Sequence, residues 1–503
     1  MSERPEVGGP RGWALALVVL LPRLAVFPWN ENLAGDAIVR TWLAHGWLGQ
    51  PHLIGSFAQG SLQFGPLHLY LLALAELVVP ALEHSGRVVS FVAGALTAVP
   101  LFSLTRRLFG RPAAAWAVVG FGLWGLHVQV STTAASEALN LSLVTSALAL
   151  VQAWRDEGRR EALLGAALAL NLACATRYDS WLLVPLVAAT VAWHCRSLPA
   201  GAWFAVASSA FSVPWLVGNW LDEGHPLYPF VFIDDFHRAW FPSEVARWGA
   251  FGYRLICLGF WPGAALVTLT PLVALAGMLG LRRAWRERRD TRWLVLLVVV
   301  PPALYAGRAV LFSSFVPLVR FTMKEVLLLL PFAWFGAQPV LSRLSLRGRR
   351  ATVAVAVACA VAWPAWLGWF CFRTEGAVPD TLRPIAPTST NPPRLMRVAR
   401  WLRDEGAAGT DGVLVDRDPR DYDDINVAFF SGFPYERIVR RRSVLFEQRV
   451  ATNRIGYVVR FEGGQLEAEG RLQVGAGGVT FDGQRFVEVG GFEPPIHVYR
   501  RAP

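Results

Sequence analysis

Apolar residues along this chain fall in long, nearly unbroken runs rather than at alternating or amphipathic spacing. A helix advances about 1.5 Å per residue, so roughly 20 apolar residues cross the ~30 Å hydrocarbon core of a bilayer. Stretches at or near that length are 13–29, 87–105, 112–130, 137–154, 161–176, 179–195, 198–217, 255–281, 293–310, 316–337 and 351–372, with 161–195 open to a different division. Arginine-rich connections separate them: TRRLFGR at 105–111, RDEGRR at 155–160, RRAWRERRDTR at 282–292 and RLSLRGRR at 343–350. By the positive-inside rule these four face the cytoplasm. The segments around Asp36, residues 127–137, TRYD at 176–179, residues 218–254 and residues 308–320 then face outside. GPLHLYLLALAELVVPAL at 65–82 breaks the alternation and contains Glu76. It reads as a helix lying in or dipping into the outer interface, the alternative being one extra span compensated elsewhere.

The pattern changes after Cys371. Residues 373–503 are polar and rich in Gly and Arg, with strand-like runs GVLVD, GYVVRF, RFVEVGGF and IHVYRR, and a helix expected over 391–404 behind two prolines. The expected architecture is an all-α polytopic membrane protein of about 11–13 transmembrane helices with a small α+β extracytoplasmic domain. Residues 1–372 form the membrane part, with outer loops at 30–86 and 218–254, and residues 373–503 form the second domain.

Composition supports this. Of 503 residues, 54% are hydrophobic and only 17% charged, against about 25% charged in soluble domains. The net charge of +11 points to topology rather than to nucleic acid, because the arginines cluster between apolar runs. Lys324 is the only lysine. Cys174, Cys195, Cys257, Cys359 and Cys371 form no CxxC pair and read as small core hydrophobes. RGWALALVVLLPRLAVFPW lacks a small-residue cleavage site and reads as an uncleaved first span.

The remaining ionisable residues gather on the expected outer side: Asp36, Glu137, Asp179, His225, Asp234, Asp235 and His237, with Arg40, Arg177, Arg308, Arg320 and Lys324. Charges at a membrane edge are costly and default to function. Facing acids and cations suit transfer from a lipid-linked phosphate, in which a carboxylate handles the acceptor proton and cations hold the leaving phosphate. Structural readings stand beside this one. Asp36 and Arg40, four apart, make an ordinary helical ion pair; Glu137 suits a helix N-terminus; Arg177 and Asp179 flank an aromatic belt of Tyr178 and Trp181. His225, Asp234, Asp235 and His237 resemble a loose metal cluster without diagnostic spacing, for which a solvated loop is the plainer account.

The order of motifs resembles the GT-C superfamily of membrane glycosyltransferases, especially the branch of protein O-mannosyltransferases and the lipid A aminoarabinose transferase. The matching segments are GDAIVRTWLA (35–44), GPLHLYLLAL (65–74), SGRVVSFVAGALTAVPLFSLTRRLFG (85–110), STTAASEAL (131–139), TRYDSWLL (176–183), GHPLYPF (224–230) and VRFTMKEVLLLLPF (319–332). The chain departs from the family in having a lone Asp36 followed by Ala37 instead of an acidic pair, and no arginine shortly before Glu137. The resemblance implies that Asp36 is the catalytic base or positions the acceptor. It makes Glu137 a second acid supporting the acceptor or a divalent metal ion, the family holding metal-dependent and metal-independent members. Arg320, with Arg177 or Lys324, binds the donor phosphate, and Arg40, His225 and Tyr228 are further candidates for substrate binding. It also implies a polyprenyl-phosphate sugar donor, membrane lipid as partner, an acceptor that is a protein, lipid or glycan, inversion at the sugar carbon, and residence in the cytoplasmic membrane. The rival readings are a lipid or solute transporter (a flippase) and a non-catalytic scaffold. A transporter predicts charges at the mid-membrane and inverted repeats, neither of which the sequence shows.

Overall fold

The computed structural model describes residues 12–28, 35–61, 64–373, 393–406, 409–417, 423–441, 443 and 446–502. The chain divides into two compact units. One comprises Met1–Asn30 and Leu43–Ser389; the other comprises Glu31–Trp42 and Thr390–Pro503. The later division falls at 389/390, and a short early segment, Glu31–Trp42, groups with the later unit.

The first unit is helical. Among the described residues, six helical stretches are long and apolar enough to cross a membrane, and a seventh is added if Leu198–Ser208 and Ser212–Glu223, bent by 56°, count as one. Many outward-facing residues are large and apolar, including Leu21, Leu24, Val99, Leu168, Trp193, Leu279 and Val299. Water would not tolerate this coat over so many helices, but lipid does. The protein is a multi-span membrane protein.

Several boundaries differ from those expected. The connection at 105–111 is no loop. Helix Ala98–Gly122 runs through it and breaks only at Gly110, whose φ of 85° is open to glycine at little steric cost. The apolar stretch 255–281 is two helices, Ala250–Thr268 and Pro271–Glu287. Thr270 caps the second by accepting from Val273 N–H, and Pro271 occupies its first turn. The expected interfacial segment 65–82 contains helix Pro66–Val78. This helix is the larger part of Phe57–Val78, one of the six stretches counted above.

Helices Pro271–Glu287 and Met323–Arg343 pack backbone to backbone. A Cβ at Gly280 would fall on the Phe332 carbonyl, and one at Gly336 on the Ala276 carbonyl. Small residues allow this approach, which supplies the dispersion contacts that hold helices together in lipid. Cys174 and Cys257 are buried as expected, whereas Cys195 is exposed at a helix end, Cys359 is half-buried, and the Cys371 side chain lies outside the described residues.

The second unit is α+β. Seven strands, β1 Gly412–Val415, β2 Ile438–Arg440, β3 Ile455–Phe461, β4 Leu472–Gly475, β5 Gly478–Phe481, β6 Gln484–Glu488 and β7 Ile496–Arg501, form one sheet in the order β2-β1-β3-β7-β6-β5-β4. β1 is parallel to both β2 and β3, and the other pairs are antiparallel. Helix Pro393–Glu405 realises the helix expected over 391–404.

Candidate active site

The site is built where three chain segments end. Helix Arg160–Thr176 stops at Arg177, whose backbone turns extended (φ −150°, ψ 135°), and a short 3-10 turn, Tyr178–Leu182, follows. Gly65 packs against this stop, since a Cβ there would strike the Ala175 carbonyl. Tyr178 Oη donates to the Phe64 carbonyl at 3.2 Å. Gly65 of GPLHLYLLAL therefore serves the local geometry of TRYD, while Pro66 opens its own helix. Helix Ser136–Glu157 begins beside it with Glu137 in its first turn, where the helix dipole favours a negative charge. The third segment is the turn Val319–Thr322, which leads into helix Met323–Arg343.

These ends line one narrow cleft, formed by Glu137, Asn140, Leu141, Arg177, Asp179, Arg320, Phe321, Met323 and Lys324. Arg177 Nη1 donates to Glu137 Oε1 at 2.7 Å and to Ser136 Oγ at 3.1 Å. Its Nε reaches Asp179 Oδ1 at 3.4 Å, while Lys324 Nζ meets Asp179 Oδ2 at 2.7 Å. Asn140 Nδ2 donates to Ser180 Oγ at 2.7 Å. Glu137 and Lys324 are buried, and Asp179 and Arg320 half-buried. Burial raises the Asp179 carboxyl pKa, but Lys324 and Arg177 outweigh it and hold the group at about 2. Asp179 is thus an anion bridging two cations. The lining carries Arg177, Arg320 and Lys324 against Glu137 and Asp179, an excess of positive charge suited to an anion of phosphate type.

The loop that delivers Arg320 is fastened from outside. Helix Tyr228–Trp248 presents His237, whose Nδ1 accepts from Val316 N–H at 3.1 Å, and Asp234, which pairs with Arg308. Arg308 Nη2 in turn donates to the Ser314 carbonyl at 3.1 Å. An Nδ1 that accepts requires the neutral ring with its proton on Nε2. Burial, and then the charge of Arg308 and to a lesser degree Arg320, push the His237 pKa down to about 4 against the pull of Asp234. The folded value lies below the unfolded value near 6.5. The stability contributed by the neutral ring is therefore present above pH 6.5 and is lost as pH falls toward 4. Unfolding at stepped pH should show wild type losing up to about 3 kcal/mol over this window relative to His237→Asn, whose amide accepts the same bond without titrating.

The structure brings Glu137, Arg177, Arg320 and Lys324 together, and adds Asp179, which the sequence marked only as one of the outer-side charges, and Asn140, which it did not mark. A signal for Asp179 lay in its spacing of two from Arg177. His225 and Tyr228 do not line the cleft. His225 is exposed, with Leu227 N–H donating to its Nδ1, and Tyr228 packs edge-on against Phe57 at 5.0 Å. Asp36 and Arg40 lie in helix Gly35–Gly49, within its portion belonging to the second unit; Arg40 is buried and Asp36 half-buried. Among the described residues, no three His, Cys, Asp or Glu side chains converge as a metal cluster would. The oxygens of Glu137 and Asp179 are engaged by Arg177 and Lys324, so as they stand these two acids do not fit a divalent ion.

Residues 63–217, which include Glu137, Arg177 and Asp179, match the family model of dolichyl-phosphate-mannose-protein mannosyltransferase. Among solved structures, ArnT from Cupriavidus metallidurans in the apo state is 14% identical with a TM-score of 0.60, covering 97% of this chain and 97% of that one. The same protein bound to undecaprenyl phosphate aligns with a TM-score of 0.58, at 14% identity over 97% and 98% of the two chains. The chain shares the fold of these structures. The oligosaccharyltransferase of Archaeoglobus fulgidus, in complex with Zn and sulfate, is also similar in fold, at 15% identity and a TM-score of 0.54, over 89% of this chain and 67% of that one. No curated protein matches the chain by sequence. The family match falls on the part of the first unit that carries two of the three segments meeting at the cleft.

Proposed function

We propose that this GT-C chain transfers a sugar from a polyprenyl-phosphate-linked donor to an acceptor hydroxyl or amine at the outer face of the cytoplasmic membrane, with inversion, and that the C-terminal domain is extracytoplasmic. The observation that carries the proposal is the cleft of Arg177, Arg320 and Lys324, ordered by Glu137 and Asp179 and carrying an excess of positive charge. The undecaprenyl phosphate bound by ArnT supports the choice of donor. The acceptor atom attacks the anomeric carbon and loses its proton to Asp36. The bond from that carbon to the phosphate oxygen breaks, and the phosphate leaves with the electron pair. Cations already locked in place neutralise the developing charge without reorganising, and the lipid tail stays in the bilayer.

The test is binding of undecaprenyl phosphate and transfer from polyprenyl-phosphate sugars by the full chain in lipid nanodiscs. Losing one charge-assisted hydrogen bond to phosphate is worth about 1.5–3 kcal/mol. Arg320→Ala should therefore weaken undecaprenyl phosphate by about 10- to 100-fold. Unchanged affinity in both Arg320→Ala and Lys324→Met would remove the cleft as the donor site.

A further inference from the structure

Helix Gly35–Gly49 belongs to both compact units. Beyond Trp42 it is stitched into the first: His45 Nδ1 meets Glu76 Oε1 at 2.5 Å, and Trp47 packs on Tyr70 at 5.2 Å. Up to Trp42 it is held by the second. The Trp42 indole is 3% exposed and sits in a socket made by the C-terminal domain. Phe429, near the end of helix Asp423–Phe430, lies edge-on to it at 5.5 Å, Tyr435 lies at 5.6 Å, and the Arg440 guanidinium stands over the ring at 4.5 Å.

The socket is itself braced. The Arg449 guanidinium covers the Tyr435 ring at 4.1 Å, while its Nη1 donates at 2.7 Å both to the Tyr435 carbonyl and to that of Ile438 in β2. Ala37, Ile38, Arg40 and Thr41 are buried too, so this portion is enclosed nearly all round instead of carrying one wet face. Trp42 follows Asp36 by six positions, about 9 Å along the axis.

We propose that Trp42 is a positioning residue through which the C-terminal domain holds the Asp36-bearing helix, so that residues 390–503 are part of the catalytic apparatus. The role of Asp36 rests on the glycosyltransferase reading above, whereas the clamp itself does not. A helix so near its N-terminus frays easily, because its first N–H groups lack helical partners. A large planar side chain locked between aromatic walls and a cation suppresses that fraying. The domain is therefore required even for the simplest acceptor, independently of any part in selecting one.

Hydrogen exchange on the full chain in nanodiscs tests the clamp. Trp42→Ala should raise exchange of the amides at 37–42 by about tenfold or more while β1 and β3 keep their protection, and Trp42→Phe should restore most of it. Turnover of a polyprenyl-phosphate sugar should fall by about 10- to 100-fold in Trp42→Ala, with undecaprenyl phosphate affinity unchanged and rescue by Trp42→Phe. Unaltered exchange at 37–42 would overturn the clamp, and raised exchange with full turnover would overturn its positioning role. Should Trp42→Ala also expose β1 and β3, Tyr435→Ala, which removes one wall, decides by the same two readouts. Absence of sugar transfer by wild type would defeat the glycosyltransferase reading and leave the exchange result standing.

Discussion

Replacing Asp36 by asparagine is expected to cut sugar transfer by about 10²- to 10⁴-fold, the range general-base catalysis supplies, while undecaprenyl phosphate binds as before. Asparagine keeps the shape and hydrogen-bonding capacity of the side chain but takes no proton. Asp36 stands in the first turn of helix Gly35–Gly49, where the exposed ends of the peptide dipoles favour its negative form. The change should leave the helix intact and strike the chemical step. Donor affinity is assigned to Arg177, Arg320 and Lys324, so it should not move. Initial rates with saturating polyprenyl-phosphate sugar, measured beside undecaprenyl phosphate binding, separate the two. Equal rates in wild type and Asp36→Asn would take Asp36 out of the mechanism.

Asp179→Asn should produce the largest loss of stability in the cleft, about 3 kcal/mol, because breaking a buried pair strands the remaining charge. Lys324 Nζ lies 2.7 Å from Asp179 Oδ2 and is buried. Without the carboxylate, its ammonium keeps the desolvation cost and loses the compensating charge. Arg177 loses one of its two acidic partners, so donor affinity should fall about tenfold as both cations gain freedom. The acid limb carries a distinct mark. Asp179 is held at about 2 when folded, below its unfolded value near 3.9. Its contribution is therefore complete above about pH 4 and lost as pH falls through 2. Across that window wild type should lose about 2 kcal/mol that Asp179→Asn does not. Thermal unfolding of both proteins at stepped pH reads this directly, and parallel curves would show that the bridge contributes little.

Both variants rest on residues whose partners were legible to different degrees. The aspartates, Glu137, Arg177, Arg320 and Lys324 stood out because charge is rare in this chain and falls at the edges of apolar runs. That Lys324 pairs with Asp179 was not legible, because the two belong to separate helical hairpins and spacing says nothing of which span ends meet. The pairing of Arg177 with Glu137 was hidden for the same reason. The helix break at 269–270 carried a readable signal, Thr270 followed by Pro271 as cap and first turn, masked by apolar residues on both sides. β2, β4 and β5 were missed because three- or four-residue strands gain their hydrogen bonds from neighbours and hold too few side chains to set a period.

By itself the sequence determined the solvent. Long apolar runs admit no fold in water, and the polar, glycine-rich end admits no bilayer. It also determined which residue types could serve a phosphate. Only the tertiary structure decided that three chain ends converge on one cleft, that Asp179 orders two of its cations, and that Trp42, on the helix bearing Asp36, packs against residues some 390 positions later. Such contacts depend on which faces pack together, and packing is a property of the whole chain folded at once, with no local trace in the order of its residues.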